Sequence, residues 1–246
     1  MEGHLIRLGI REVANSKDGI LSSEEFQKKY VDFMTTEGSH NDSYCFVSHR
    51  MFFHKLEQGA TPAEAGKQPF ACDTSEALAE LIPVFLSTAR MAPEEADAEV
   101  ARCMSFVRTT NHKMLMFARL FSAALRNILA GQAIKEVAES LSVALFPGSG
   151  SVASRIEGRK DPMADTNLQP VFTALIHYMY RYADTPKEMI LANVHSGGEN
   201  VCRGSLLGAL VGAACGFQGL PKEWIDGLVC REEIESEIER FVDAVC

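Results

Sequence analysis

Residues 197–200 read Gly-Gly-Glu-Asn and stand immediately before a helix-forming run, a pattern that could bind a ligand in two ways. The first N–H groups of a helix lack intrahelical partners, and glycines let that backbone approach an anion closely. Glu199, in the first turn, would instead favour a bound cation or a hydroxyl donor. A flexible Gly-Gly turn followed by an ordinary first-turn acid has the same sequence, so spacing alone leaves both readings open. Ser39, His40, Asn41 and Asp42 form a second dense polar cluster. There His and Asp could share protons or bind a sugar hydroxyl, while a turn built on Asn and Asp hydrogen bonds accounts for the same residues. Cys202 sits beside Arg203 at a helix start, a setting that lowers a thiol pKa and makes it reactive. His49, His54, His112 and His177 lie beside apolar helical residues and read as packed or half-exposed. The quartet Ile156-Glu157-Gly158-Arg159 matches a protease recognition sequence by coincidence.

These residues must be positioned by helices, because nearly every periodic segment repeats every 3.6 residues and no run alternates as a strand does. Three helix starts are marked by caps: Ser22-Ser23-Glu24-Glu25, Thr61-Pro62-Ala63-Glu64 and Thr185-Pro186-Lys187-Glu188. Further helices are expected over Ser75–Arg90 with a kink at Pro83, Pro93–Val107, Asn111–Ala130, Gln132–Leu145, Leu168–Tyr182 and Pro186–Asn193, then from Pro221 and from Arg231. The fold class is all-α, a compact multi-helix bundle. Glu37–Asp42 and Pro147–Asn167 stay irregular, and a loop as long as the second is usually functional or mobile. Gly204, Gly208, Gly212 and Gly216 recur at i, i+4 and make a smooth stripe. Each costs about 1 kcal/mol against alanine, so the stripe predicts a second helix packed closely on that face.

A net charge of -9 and a pI near 5.3 argue against nucleic acid or an anionic membrane as partner, since both select basic surfaces. Seven scattered cysteines without C-x-x-C spacing, and an N-terminus without a signal-peptide pattern, point to a reduced, cytoplasmic chain. The longest apolar run, Ser205–Phe217, falls short of the ~20 residues a membrane span needs.

The stretch "ILANVHSGGENVCRGSLLGALVGAACGFQGLPKEWIDGL" resembles the C-terminal signature of the ADP-ribosylglycohydrolase family. In that signature an Asn, a Gly-Gly-Asp cluster, a Gly/Ala-rich helix and a Pro-x-x-Trp element follow in this order. "FMTTEGSHNDSY" and "HRMFF" are similar to its J-class crystallin and selenoprotein J branch, so the likeness covers most of the chain. The resemblance implies one all-α domain over residues 1–246 and a two-magnesium centre that hydrolyses the bond between ADP-ribose and its acceptor. It implies ADP-ribose or an ADP-ribosylated substrate as partner. It assigns Glu199 and Asp42 as catalytic residues, with Glu199 also the metal ligand, and Gly197, Gly198, Asn200, Ser39, His40 and Asn41 as ligand-binding residues.

Three departures from the pattern weaken the metal site. Catalytic members of the family read Gly-Gly-Asp-x-Asp-Thr; here Glu199, Val201 and Cys202 stand on the ligating positions. Magnesium wants hard oxygen ligands, which valine lacks and a soft thiol replaces poorly. The chain also has no Asp-Asp pair to stand for the family's N-terminal Thr-Asp-Asp set, and it reads as truncated at its N-terminus. The expectation is a family member with weakened or lost hydrolase activity, the alternative being a non-catalytic structural or ADP-ribose-binding homologue.

Overall fold

The computed structural model describes residues 2–67, 73–106 and 111–246. Among these are fifteen α-helices and one 3-10 turn, with two isolated bridges, Thr74 to Asn167 and Ala164 to Gly198, in place of any strand. The all-α expectation holds. No helix of the described residues is long and apolar enough to cross a membrane.

Two compact units divide the chain. The first comprises Met1–Asp73, Glu80–Arg119 and Glu232–Cys246. It holds α1 (Glu2–Asn15), α2 (Ser23–Thr35), α3 (Val47–Glu57), α4 (Pro62–Ala65), α6 (Ile82–Ser87), α7 (Pro93–Met104) and α15 (Arg231–Val245). Within it α1 packs on α6 so closely that a Cβ on Gly9 would lie 2.9 Å from Pro83 Cγ. The buried Glu237 of α15 receives Arg7 of α1 at 2.8 and 2.9 Å, joining the sequence-distant ends of this unit. Burial works against that carboxylate, yet Arg7 and Arg11 hold its pKa below the usual range.

The second unit comprises Thr74–Ala79 and Leu120–Arg231. It holds α5 (Glu76–Ala79), α9 (Ile134–Leu145), α10 (Val152–Ile156), α11 (Leu168–Arg181), α12 (Pro186–His195), α13 (Asn200–Cys215) and α14 (Lys222–Asp226). The helix α8 (His112–Leu129) gives its residues to both units, the division falling after Arg119. The second core is centred on α11, which packs against α9, α12 and α13 and buries Val171, Phe172, Leu175 and Met179.

The predicted caps hold at two of three positions. Ser22 Oγ accepts from the Glu25 N–H, and Thr61 forms a reciprocal capping box with Glu64. Thr185 precedes Pro186 as expected, but its side chain makes no capping bond. The Ser75–Arg90 segment is two helices, α5 and α6, rather than one kinked helix, because Pro83 cannot donate an N–H within a continuing helix. The helix from Pro93 ends at Met104, and Val107 lies outside the described residues. The Pro147–Asn167 segment contains a helical piece, α10, started by Ser151, whose Oγ accepts from the Ser154 N–H.

The glycine stripe differs most from expectation. A Cβ on Gly208, Gly212 or Gly216 would meet nothing within 4 Å, and one on Gly204 would meet only Asn193 Nδ2 at 2.9 Å. The buried face of α13 is instead Cys202, Arg203, Leu206, Leu207, Leu210 and Val211. Among the described residues only Asn193 of α12 approaches the stripe, at Gly204, so close backbone packing does not account for Gly208 and Gly212.

Candidate functional site

The Gly197–Asn200 turn is built from below by two buried residues, Asn193 near the end of α12 and Arg203 in the first turn of α13. Arg203 donates through Nε to Asn193 Oδ1 at 2.5 Å, and through Nη2 to the carbonyls of Asn193 and Gly197, each at 3.0 Å. Asn193 Nδ2 donates to the Asn200 carbonyl at 3.0 Å. Each side chain thus ties the end of α12 to the start of α13. The Arg203 guanidinium also lies 5.7 Å from the Tyr178 ring centroid, and its Nη1 is enclosed without a hydrogen-bond partner. Burial lowers the guanidinium pKa from its usual range, while Tyr178 and Glu199 act in the opposite direction.

The turn itself needs glycine. Gly197 and Gly198 have φ of +70° and +69°, the left-handed region where a side chain is strained. A Cβ on Gly198 would also fall 2.3 Å from the Ala164 carbonyl oxygen. That carbonyl accepts the Glu199 N–H at 2.9 Å, so the strand-like bridge at Ala164 and the turn fit only through a bare backbone.

Glu199 is the N-cap of α13, and its Oε1 accepts the N–H groups of Val201 and Cys202 at 3.1 and 2.9 Å. The helix-start donors that could have cradled an external anion are therefore taken by the protein's own carboxylate. Asn200 Nδ2 donates to the Val194 carbonyl at 3.2 Å. Val201 presents hydrocarbon, 56 % exposed, and Cys202 is wholly buried, so the thiol expected to be reactive beside Arg203 is closed off from solvent. These residues do not fit magnesium: one acid is committed as a cap, one side chain is apolar and one is an inward-facing sulfur. Among the described residues, no three His, Cys, Asp or Glu side chains come together as a metal-holding group.

Ser39, His40, Asn41 and Asp42 lie between α2 and α3 in the other compact unit. His40 Nδ1 is 3.9 Å from Asp42 Oδ2, and His4 Nε2 of α1 is 4.0 Å from the same oxygen. These are ion-pair separations rather than hydrogen bonds. The Phe33 ring lies tilted against both histidines, 5.8 Å from His4 and 5.3 Å from His40 between centroids. Ser39 Oγ donates to the Phe33 carbonyl, which leaves the hydroxyl in a structural bond, and Asn41 is exposed.

Of the histidines read as packed, His49 is buried between Tyr30 Oη at 2.7 Å and Glu80 Oε1 at 2.9 Å. His54 meets Gln58 Nε2 at 3.1 Å, and His112 is exposed. His177 is buried with Nε2 3.0 Å from Asp161. Arg203 was legible only as a neighbour of Cys202. A charged residue inside an otherwise apolar helical run was the available signal for its inward role.

The profile of the family described as ADP-ribosylglycohydrolase matches residues 5–246. An ADP-ribosyl-[dinitrogen reductase] glycohydrolase of Rhodospirillum rubrum is 25 % identical over 177 residues, 72 % of this chain and 52 % of that protein. The chain thus spans about half the length of that relative. A solved structure titled ADP-ribosylglycohydrolase-related protein complex superposes over 99 % of this chain and 80 % of its own, with a TM-score of 0.71 and 17 % identity, a likeness of fold.

Proposed function

Because the chain belongs to the ADP-ribosylglycohydrolase family, we propose that it binds ADP-ribosyl ligands and hydrolyses them very slowly or not at all. The observation that carries this reading is the commitment of Glu199 Oε1 to the N–H groups of α13, beside Val201 and Cys202. A two-metal centre needs several hard oxygens, and this turn supplies none that is both free and convergent with another acid. The turn is nonetheless held in one geometry by Arg203 and Asn193, which supports a retained ligand-binding role for Gly197, Gly198 and Asn200. Ser39, His40 and Asn41 are the ligand-binding residues we assign to the other unit, and Asp42 and Glu199 the acids of any residual hydrolysis. We read residues 1–246 as one domain of the family's J-class crystallin and selenoprotein J branch, working in the cytoplasm.

A second reading, a magnesium-dependent hydrolase, is favoured by the match of the family profile over nearly the whole chain. Calorimetric titration with magnesium, with and without ADP-ribose, separates the two when paired with hydrolysis assays on ADP-ribosylated arginine and serine peptides. The expected result is ADP-ribose binding that magnesium does not strengthen, without turnover. Magnesium-dependent turnover abolished by Glu199→Ala would restore the enzyme.

A further inference from the structure

The quartet Ile156-Glu157-Gly158-Arg159, unused by the signature turn, leads to a second feature of the same unit. Between α10 and α11 lies a cavity of about 100 Å³ lined by Arg155, Arg159, Lys160 and His177, with Ile156 and Ile176 among its apolar walls. Its lining contains three cations and no carboxylate, in a chain of net charge -9. We propose that this cavity is a binding site for one phosphoryl group, supplied by free phosphate or by a phosphorylated small molecule.

Three observations support it. First, the cations are unneutralised: none of the three pairs with a carboxylate among the described residues, and the nearby Asp161 is engaged by His177, Arg181 and the Tyr182 hydroxyl. Clustered like charges repel, so an arrangement without counter-charge favours binding an anion. Second, the site is pre-organised on one side. Arg155 donates from Nη1 to Ser142 Oγ at 2.5 Å and lies 4.3 Å from the Phe146 ring centroid, so the side chain of this lining residue is held in one conformation. Arg181 Nη1 donates to the Arg159 carbonyl at 2.7 Å, which anchors the segment bearing Arg159 and Lys160. Third, the cavity is small, with room for one tetrahedral oxyanion. Arginine forks and a lysine point charge suit phosphate oxygens. The local positive field is also felt by His177, whose pKa is lowered by burial, against Asp161, with Arg181 and Arg159 adding to the depression.

The test is calorimetric titration of the full chain with inorganic phosphate at low ionic strength, repeated on Arg159→Gln/Lys160→Gln. Both side chains are exposed, so the double variant should melt like the parent, and Lys187→Gln/Lys222→Gln, which also removes two lysine or arginine charges, serves as a charge-matched control elsewhere in the unit. The expected result is phosphate binding that is weakened about tenfold or more in the double variant and unchanged in the control. Absence of phosphate binding in the parent, or equal affinity in the double variant, overturns the proposal. Competition by ADP-ribose that is lost in the same double variant would identify its diphosphate as the source; phosphate binding without competition would identify free phosphate. If ADP-ribose fails to bind while phosphate binds as expected, the ligand reading of the signature turn falls and the cavity assignment stands.

Discussion

At Gly198 the backbone is pressed against the Ala164 carbonyl, and at Arg203 a guanidinium is wholly enclosed, whereas at Gly208 and Gly212 the same helix borders open space. The two halves of one glycine-rich signature thus use glycine under opposite conditions. In the first half the residue is required by a positive φ and a close approach; at Gly208 and Gly212 neither applies. The turn is also tied from within, through Glu199, Asn193 and Arg203. Substitutions that contrast the two halves should therefore give effects of different size and sign.

The largest effect is expected at Arg203. Replacement by Met keeps much of the volume but strands Asn193 Oδ1 and the carbonyls of Asn193 and Gly197, the first on a residue only 1 % exposed. Each unsatisfied buried acceptor costs about 1–3 kcal/mol, so a loss of about 3 kcal/mol is expected in urea unfolding. A variant as stable as the parent would show that the turn is held by something else.

Next come the paired glycines. Gly197→Ala meets only the left-handed strain, about 1 kcal/mol, since nothing lies within 4 Å of its Cβ position. Gly198→Ala adds the collision with Ala164 and loosens the Glu199 N–H bond, for about 2 kcal/mol or more. Equal melting temperatures for the two variants would remove the close approach from the account. Glu199→Ala deletes the N-cap of α13 and should cost about 1 kcal/mol by the same denaturant measurement. A loss near zero would mean that the carboxylate is not acting as a cap in solution.

The helical class was readable because caps and apolar periodicity agree locally: Ser22 and Thr61 start helices through bonds to residues three positions on. Pro83 was visible as an interruption, but a break and a kink differ only in tertiary context. The head of the signature was readable as a site because Gly-Gly before a helix implies unusual backbone. What Glu199 does there was not, since a first-turn acid can cap, ligate or do neither, and only the geometry at Val201 and Cys202 distinguishes these. The inward course of Arg203 and its bond to Asn193, ten residues earlier, are non-local and left no periodic trace. The stripe misled for a related reason. Four glycines at helical spacing define a smooth face, but whether anything packs on it depends on residues far away in the chain.

The smallest and opposite effect follows from that open face. Gly208 lies inside α13, has no positive φ, and would place its Cβ where no atom stands within 4 Å. Alanine there removes conformational freedom from the unfolded chain and adds no clash in the folded one, so Gly208→Ala should raise stability by about 0.5–1 kcal/mol. Gly212→Ala has the same surroundings, and the two lie on successive turns with side chains too short to share a partner, so their gains should roughly add. Urea midpoints of the two single variants and the double measure this directly. A stabilised double variant would fix the contrast with Gly198, where the same change destabilises. A destabilised Gly208→Ala would mean that in solution another surface covers the stripe, and the close-packing explanation of the glycines would return.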